Sequence, residues 1–341
     1  MPTSEREVNN SEGTVVWDSE VVKASVITLT PAPAIDRTYE LGTLHPGGVH
    51  RATAVHSELA GKGVNVSSNL SRGGVASRAV VPLSPEEASS TQSEVIHPYP
   101  VSHPVRVNIT LLEENGQTTK INEQAPALST DEWDGLISET VTLADRHDAS
   151  WILVAGTIPS ALDGSPLDLT GLFRRAQSEG RRVGLDTSGS ALLELARSGL
   201  PDVVKPNAPE LAECVGRSLR TIGDVVSAAH EVHEWGVTHV LVSLGPDGMV
   251  GVSSSGAVHA STAPVTVRNT IGAGDASVAG FLSHFVSHPD QFAEAVGVAV
   301  AWGALKVQEV SSQLHSVEGL PEVAISTSPD LDRDLREPGL I

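Results

Sequence analysis

Apolar residues fall along the chain in two rhythms. Short blocks rich in Val, Ile and Leu at residues 25–30, 151–155, 182–186, 202–205 and 239–243 have the length and β-branched content of buried strands. Between and around them, helical spacing runs over 167–178, 191–197 and 222–235, and the Ala- and Gly-rich stretches 273–287 and 292–308 predict helices that can pack closely. Strand and helix in regular alternation specify an α/β fold, a mostly parallel central sheet flanked by helices. Two short strands, at 249–252 and 257–260, are expected to be antiparallel.

Four other segments alternate apolar and polar residues in the manner of half-exposed strands. Residues 37–44 and 50–58 flank the turn His45-Pro46-Gly47-Gly48, and residues 105–112 and 117–121 flank Glu114-Asn115-Gly116, so each pair reads as a hairpin. Together they predict a small β sheet standing off the main body. Such a sheet can be a lid that excludes water from a transferring phosphate, or an edge structure with no ligand role. Residues 1–24 are polar and acidic and read as a flexible arm, and 25–310 as one folded domain. Residues 311–341 carry dense charge with little period and read as a tail, partly irregular.

The best candidate for chemistry is the turn Asn269-Thr270-Ile271-Gly272-Ala273-Gly274-Asp275. A Gly-Ala-Gly turn ahead of a helix leaves unpaired N–H groups at a positive helix end, with no bulk to block a phosphoryl oxyanion. Asp275 can then accept a proton from an attacking hydroxyl, although an Asp near a helix start is also favoured for structural reasons. A second glycine-flanked helix start, Gly61-Lys62-Gly63, offers Lys62 and Asn65 as donors to sugar hydroxyls or phosphate oxygens. Alone it is weak, since the Walker A pattern GxxxxGK[ST] is missing. Asp36 follows the first strand, at the carboxyl edge where parallel sheets bind ligands, yet it can equally be an ordinary turn residue. Asn207 and Glu210 have the spacing of a capping box, and Glu210 can also hold a water of hydration on magnesium. The turn Gly245-Pro246-Asp247-Gly248 would let a nucleotide lie flat on its backbone.

Composition narrows the partners. The 341 residues carry 22 Lys and Arg against 42 Asp and Glu, and the formal charge of −20 repels nucleic acid and anionic membranes over the whole surface. A site for phosphorylated ligands must therefore gather scarce cations into one cleft. The lone Cys214 excludes an intrachain disulfide framework and a multi-cysteine zinc site, and the 13 histidines show no HExxH spacing. No apolar run is long enough for a bilayer and the start MPTSEREVNNSEGT lacks a signal-peptide pattern, so a cytoplasmic protein is expected.

Seven pieces in order resemble the PfkB, or ribokinase-like, family of sugar kinases: TLTPAPAIDRTYEL, VHRATAVHSELAGKGVNVS, RVNITL with TKINE, VAGTIP, VKPNAPEL, VSLGPDG and NTIGAGDASVAGFL. Within it they are most similar to the branch of 1-phosphofructokinases and tagatose-6-phosphate kinases. The resemblance implies a three-layer fold, a β lid that often makes a homodimer contact, and transfer of the ATP γ-phosphoryl to a sugar-phosphate hydroxyl with Mg2+. It implies Asp275 as catalytic base and Gly272, Ala273 and Gly274 as the anion hole. Asp36, Gly61, Lys62, Asn65 and Asn108 would face the sugar, and Arg106, Lys120 and Arg51 its phosphate. Lys205, Asn207, Ser243, Gly245 and Gly248 would serve the nucleotide, and Glu210, through water, the magnesium. The forms DRTYEL, VHRAT and TKINE favour fructose 1-phosphate as acceptor, with tagatose-6-phosphate kinase or 6-phosphofructokinase activity as the alternative. Two features depart from the family. Ala60 replaces the first glycine of GGKG, and residues 81–103 lack the expected Gly-Gly turn and helix, which leaves room for a relative that binds sugar phosphate without useful catalysis.

Overall fold

The apolar blocks form the middle of a ten-stranded sheet in a computed structural model that describes residues 26–341. The arm expected at residues 1–24 lies outside the described residues. In chain order the strands are β1 Val26–Leu29, β2 Ala34–Leu41, β3 Ala54–Ala60, β4 Ser77–Leu83, β5 Ile96–Pro100, β6 Arg106–Glu113, β7 Thr118–Asn122 and β8 Trp151–Ala155. They continue with β9 Arg182–Asp186, β10 Val203–Val204, β11 Leu219–Thr221, β12 His239–Ser243, β13 Met249–Ser253, β14 Gly256–Thr262, β15 Val323–Ser326 and β16 Asp334–Gly339. The helices are α1 Lys62–Arg72, α2 Pro85–Ser90, α3 Thr130–Arg146, α4 Thr170–Ser178, α5 Gly189–Arg197, α6 Ala208–Val215, α7 Ile222–Glu234, α8 Ala273–Phe285 and α9 Phe292–Lys306.

The main sheet has the order β15-β14-β13-β12-β10-β9-β8-β1-β4-β5. From β12 to β5 its strands are parallel, and β13, β14 and β15 extend it antiparallel, as expected for the first two. Period-two alternation sends successive side chains to opposite faces. Ile27, Leu29, Ile152, Val154, Val240 and Val242 pack in one core with Leu136 of α3, Leu172 of α4, Leu192 of α5, Leu211 of α6 and Val225 of α7. Val26, Trp151, Leu153 and Leu241 pack in another with Val66 and Leu70 of α1, Phe281 of α8 and Trp302 of α9. Helices therefore cover both faces, giving three layers. α8 is buried along almost its whole length, which is why its apolar residues show no single face and why an aspartate in its first turn is taken out of water.

The alternating segments form the separate sheet β3-β2-β6-β7, in which β2 and β6 are parallel and both outer pairs antiparallel. Its registers place Glu58, Asp36, Asn108 and Asn122 in one row across the sheet. The neighbouring rows, Val55-Tyr39-Leu111-Thr119 and Ser57-Arg37-Ile109-Ile121, lie on the opposite face. The sheet is thus polar on one side and largely apolar on the other, and Ile35 and Leu59 seat it on Val64, Val81 and Leu83 of the body.

Three expectations change. Asp36 stands inside β2, not in a turn, because the chain resumes strand pairing immediately after Pro33. Residues 81–103 do contain a helix and a strand: Ser84 and Glu87 form a capping box that starts α2 at Pro85, and β5 pairs in parallel with β4 at the sheet edge. The Glu87 carboxylate also accepts the Val105 N–H at 3.0 Å, tying this short connection to the root of β6. Beyond residue 311, β15 joins β14 and β16 pairs with β11, so the charged C-terminal segment is fastened to the body at two places.

Candidate active site

Ligands of open parallel sheets bind beyond the carboxyl ends of the strands, and here those ends converge on a cleft of about 460 Å³. β8 delivers Gly156 and Thr157, β9 delivers Asp186, the segment after β10 delivers Lys205, Asn207 and Glu210, and β12 delivers Ser243. The lid sheet contributes Asp36, Arg106 and Asn108 to the opposite wall. Two helix N-termini complete it, α1 with Gly61, Lys62 and Asn65, and α8 with Ile271, Gly272, Gly274 and Asp275.

Neither of those helices has a side-chain cap among the described residues. In α8 the Ala273 N–H is taken by Thr270 O at 3.2 Å; otherwise the first N–H groups of a helix lack intrahelical partners, and both positive ends border the cleft. Gly272 holds φ 81°, a left-handed conformation, and any Cβ on it would collide with the carbonyl of Ser312. The turn is therefore specified by packing as much as by flexibility. Gly274 leaves room for the Lys205 ammonium, which would lie 3.4 Å from a Cβ at that position.

Between the two helix ends sits a network of charges. Lys62 Nζ donates to Asp186 Oδ1 at 2.9 Å, and Lys205 Nζ lies 3.6 Å from the same oxygen. Burial opposes the charge on Asp186, yet Lys205 and Lys62 outweigh it and hold the carboxyl below its usual range. Burial likewise opposes the charge on Lys62, and Asp186 reverses that, keeping the ammonium protonated. Asp275 is different. It accepts a hydrogen bond from Asn65 Nδ2 at 2.8 Å. Burial, followed by the negative charge of Asp186, pushes its carboxyl up to about 6, with Asn65, Lys62 and Lys205 opposing. A carboxylate poised near neutrality is ionised at pH 7 and is a competent proton acceptor.

The lid wall is built to receive polar groups. Asn108 Nδ2 donates to Asp36 Oδ1 at 3.0 Å, and burial raises the Asp36 carboxyl despite that bond. Arg106 reaches the carbonyls of Ala32 and Glu123, both at 3.3 Å. Arg106 Nε, Asn108 Oδ1 and Asp186 Oδ2 are buried without a hydrogen-bond partner among the described residues. Unpaired polar atoms of this kind are costly in a closed core and expected in a ligand site.

Most residues singled out from the sequence meet here. Asp36, Gly61, Lys62, Asn65, Arg106, Asn108, Lys205, Asn207, Glu210, Ser243, Gly272, Gly274 and Asp275 all line the cleft, and Ala273 lies within the same turn. Four others lie away from it. Arg51 is exposed in the stretch before β3, and Lys120 is exposed on β7, although its charge is felt by Asp36. Gly245 lies against the Glu337 carboxylate of β16, and Gly248 against the carbonyl of Ala260. Asp247 between them is fully buried and takes hydrogen bonds from Arg333 and the Arg336 N–H, so the C-terminal strand covers this turn. The capping box at α6 is present, with Glu210 Oε2 accepting the Asn207 N–H at 2.8 Å and Asn207 Oδ1 accepting the Glu210 N–H at 2.8 Å.

Sequence reasoning assigned no part to Asp186, Gln313, Ser312 or Glu58. Gln313 donates to Asn65 Oδ1 at 3.2 Å and so fixes the amide that holds Asp275. Ser312 donates to Glu58 at 2.8 Å, linking the C-terminal segment to lid strand β3. An Asp closing a buried strand is a readable signal for Asp186. The other three are joined only by the fold.

The pfkB family carbohydrate kinase pattern matches residues 23–318. The chain is 29% identical over 309 residues to the 1-phosphofructokinase of Xanthomonas campestris pv. campestris, covering 87% of this chain and 96% of that one. It is 32% identical over 270 residues to the 1-phosphofructokinase of Haloferax volcanii, covering 76% and 83%. Phosphofructokinase-2 from Escherichia coli in complex with potassium has a similar fold, with TM-score 0.78 and 28% identity over 86% of this chain and 96% of that one.

Proposed function

The chain belongs to the pfkB family of carbohydrate kinases, and we propose that it transfers the γ-phosphoryl group of ATP to fructose 1-phosphate, giving fructose 1,6-bisphosphate and ADP. The observation that carries this is the position of Asp275, a proton acceptor near neutrality in the first turn of α8, beside the helix N-terminus and two lysines. The acceptor hydroxyl oxygen attacks the γ-phosphorus in line as the bond to the β-phosphate bridging oxygen breaks, and the hydroxyl proton passes to Asp275. In the Gly272-Ala273-Gly274 turn, where Thr270 O holds the Ala273 N–H, the Gly272 and Gly274 N–H groups, with Lys205 beside Gly274, stabilise charge spreading over the phosphoryl oxygens. Asp36, Asn65, Asn108 and Gly61 orient the sugar, and Arg106 meets its existing phosphate, while Lys120 and Arg51, exposed outside the cleft lining, are its more distant cations. Asn207 and Ser243 face the nucleotide side, while Gly245 and Gly248 would act through the shape of their turn.

Magnesium fits this cleft as a companion of the nucleotide. Among the described residues no three His, Cys, Asp or Glu converge as a metal cage. Mg2+ bound to phosphates needs only one or two carboxylates and water, and Glu210, through water, and Asp186 Oδ2, unpaired among the described residues, would hold it. When bound, the ion would neutralise phosphate charge.

The relatives named 1-phosphofructokinase support fructose 1-phosphate as acceptor. The likeness to phosphofructokinase-2 from Escherichia coli, solved also in complex with fructose-6-phosphate, favours a second reading, fructose 6-phosphate, and tagatose 6-phosphate is a third. Coupled ADP release over the three sugar phosphates separates them by kcat/KM, with fructose 1-phosphate expected highest. Calorimetric binding of a sugar phosphate with no ADP release would make the protein a binding relative instead. The apolar outer face of the lid, where Val55 is 53% and Ile121 54% exposed, supports a homodimer formed by two lids. Light scattering should give a dimer that Val55→Asp with Ile121→Asp converts to monomer. No described helix is long and apolar enough to cross a membrane.

A further inference from the structure

α9 ends on a lysine that the mechanism above does not use. Lys306 is 0% exposed, yet among the described residues its ammonium has a single hydrogen bond, to the carbonyl oxygen of Asn269 at a long 3.4 Å. A buried ammonium with three donors and so little compensation is a costly group that a packed apolar residue would replace at a gain. The carbonyl it meets begins the turn that ends in Asp275. That turn is docked on the end of α9 by the N–H groups of Arg268 and Asn269, which both donate to Val307 O at 2.7 and 3.2 Å. Asn269 Nδ2 donates to Val310 O at 2.7 Å, and Asn269 Oδ1 accepts the Ile271 N–H at 2.9 Å. Ser312 O backs directly onto Gly272. Burial lowers the Lys306 value, and the carboxylates that oppose this are Glu309, Asp275 and Glu58, one of them the base itself.

We propose that Lys306 is a built-in cation behind the anion-binding turn, a positioning residue that fixes residues 269–275 through the Asn269 carbonyl and takes the place a bound monovalent ion would otherwise fill. The inference rests on the phosphoryl-transfer function proposed above. It follows that wild-type turnover is indifferent to the monovalent ion in solution. Removing the ammonium leaves an ion-sized space beside a carbonyl, which a small cation can enter.

The test compares wild type, Lys306→Met and Lys306→Ala in saturating substrates, with tetramethylammonium, sodium, potassium or ammonium as the only monovalent cation. Wild type should vary by no more than about twofold across the four, whereas Lys306→Met should lose about tenfold or more in kcat with sugar-phosphate KM within about threefold. Lys306→Ala should show the same loss in tetramethylammonium, regain about fivefold or more in ammonium or potassium, and rise in Tm with those ions. Lys306→Met at wild-type kcat overturns the inference, as does a Lys306→Ala loss that no ion reverses, or several-fold activation of wild type by potassium over sodium. Failure of both variants to fold would assign the lysine to stability alone and overturn it too. Wild-type protein without turnover on any sugar phosphate removes the proposed function and this inference with it. Turnover in wild type and an unimpaired Lys306→Met remove only the inference.

Discussion

Replacing Asp275 by Asn removes a charge that the fold holds at a cost. The side chain is 6% exposed and its carboxyl is raised from 3.8 to about 6, by burial first and then by Asp186. Because the folded value lies above the unfolded one, stability is fully present below pH 3.8 and is lost as pH rises through 6. At about 1.4 kcal/mol per pH unit, the ionised carboxylate costs about 3 kcal/mol at pH 7.5 and about 2 kcal/mol at pH 5.5. The substituted amide would keep an oxygen for the Asn65 side chain, now bonded to the carboxylate at 2.8 Å, and would lose the repulsion from Asp186. Urea unfolding should therefore find Asp275→Asn more stable than wild type at pH 7.5, by less at pH 5.5. Steady-state ADP release should find its kcat lower by about 10²-fold or more, the usual loss for a general base. Gained stability with lost activity is the signature of a strained catalytic group. Wild-type turnover in the variant, or stability equal to or below wild type at pH 7.5, would refute the reasoning.

Further outcomes follow from the same network. As Asp275 takes up its proton, kcat/KM should fall about tenfold per pH unit below about 6. Asp186→Asn removes the repelling charge and leaves Lys62 and Lys205 to act on Asp275 alone, so this acid limb should move to lower pH, and a move upward contradicts the assignment. Arg106→Ala should raise the KM for sugar phosphate by about tenfold or more, the value of a lost charge-assisted bond, with ATP KM within about twofold. Equal effects on both substrates would place Arg106 elsewhere. Glu210→Gln keeps the capping box, which accepts Gln at that position, so Tm should hold while the Mg2+ concentration for half-maximal rate rises several-fold. An unchanged magnesium demand would leave Glu210 as a cap alone.

The central strands were legible because their signal is local. Residues 151–155 are a continuous apolar run and 182–186 and 239–243 carry apolar residues between polar ends, and the three coincide with β8, β9 and β12. The lid strands were legible in kind; β6 and β7 fell within one residue of expectation, whereas β2 starts three residues earlier and β3 four later, since alternation survives a shift of register better than a boundary does. β4 and β5 were missed because Pro82, Pro98 and Pro100 argue against strands, and two of these sit on the edge strand, where a missing N–H costs least. The α2 start was readable, since Ser84-Pro85-Glu86-Glu87 is a capping box with proline at the first helical position. The site was legible where a residue type and its spacing carry chemistry, as in Gly272-Ala273-Gly274-Asp275 and Gly61-Lys62-Gly63. Asp186 and Lys62 are 124 positions apart, and Gln313 and Asn65 are 248 apart, so their pairing is set by the sheet and the C-terminal segment rather than by any window of sequence. Lys306 looked like an ordinary basic residue at a helix end. Only its burial distinguishes it.

The central claim is that one buried carboxylate at the start of α8 directs phosphoryl transfer between two anionic substrates gathered by Lys62, Lys205 and Arg106. Phosphorus NMR of the wild-type protein mixed with ATP, Mg2+ and fructose 1-phosphate tests it most directly. The account predicts a second sugar phosphomonoester resonance, from the 6-position, growing in equal amount with ADP and absent when Asp275→Asn replaces wild type over the same interval. An ATP spectrum that stays unchanged beside bound sugar phosphate, or a product formed equally by the variant, would contradict it.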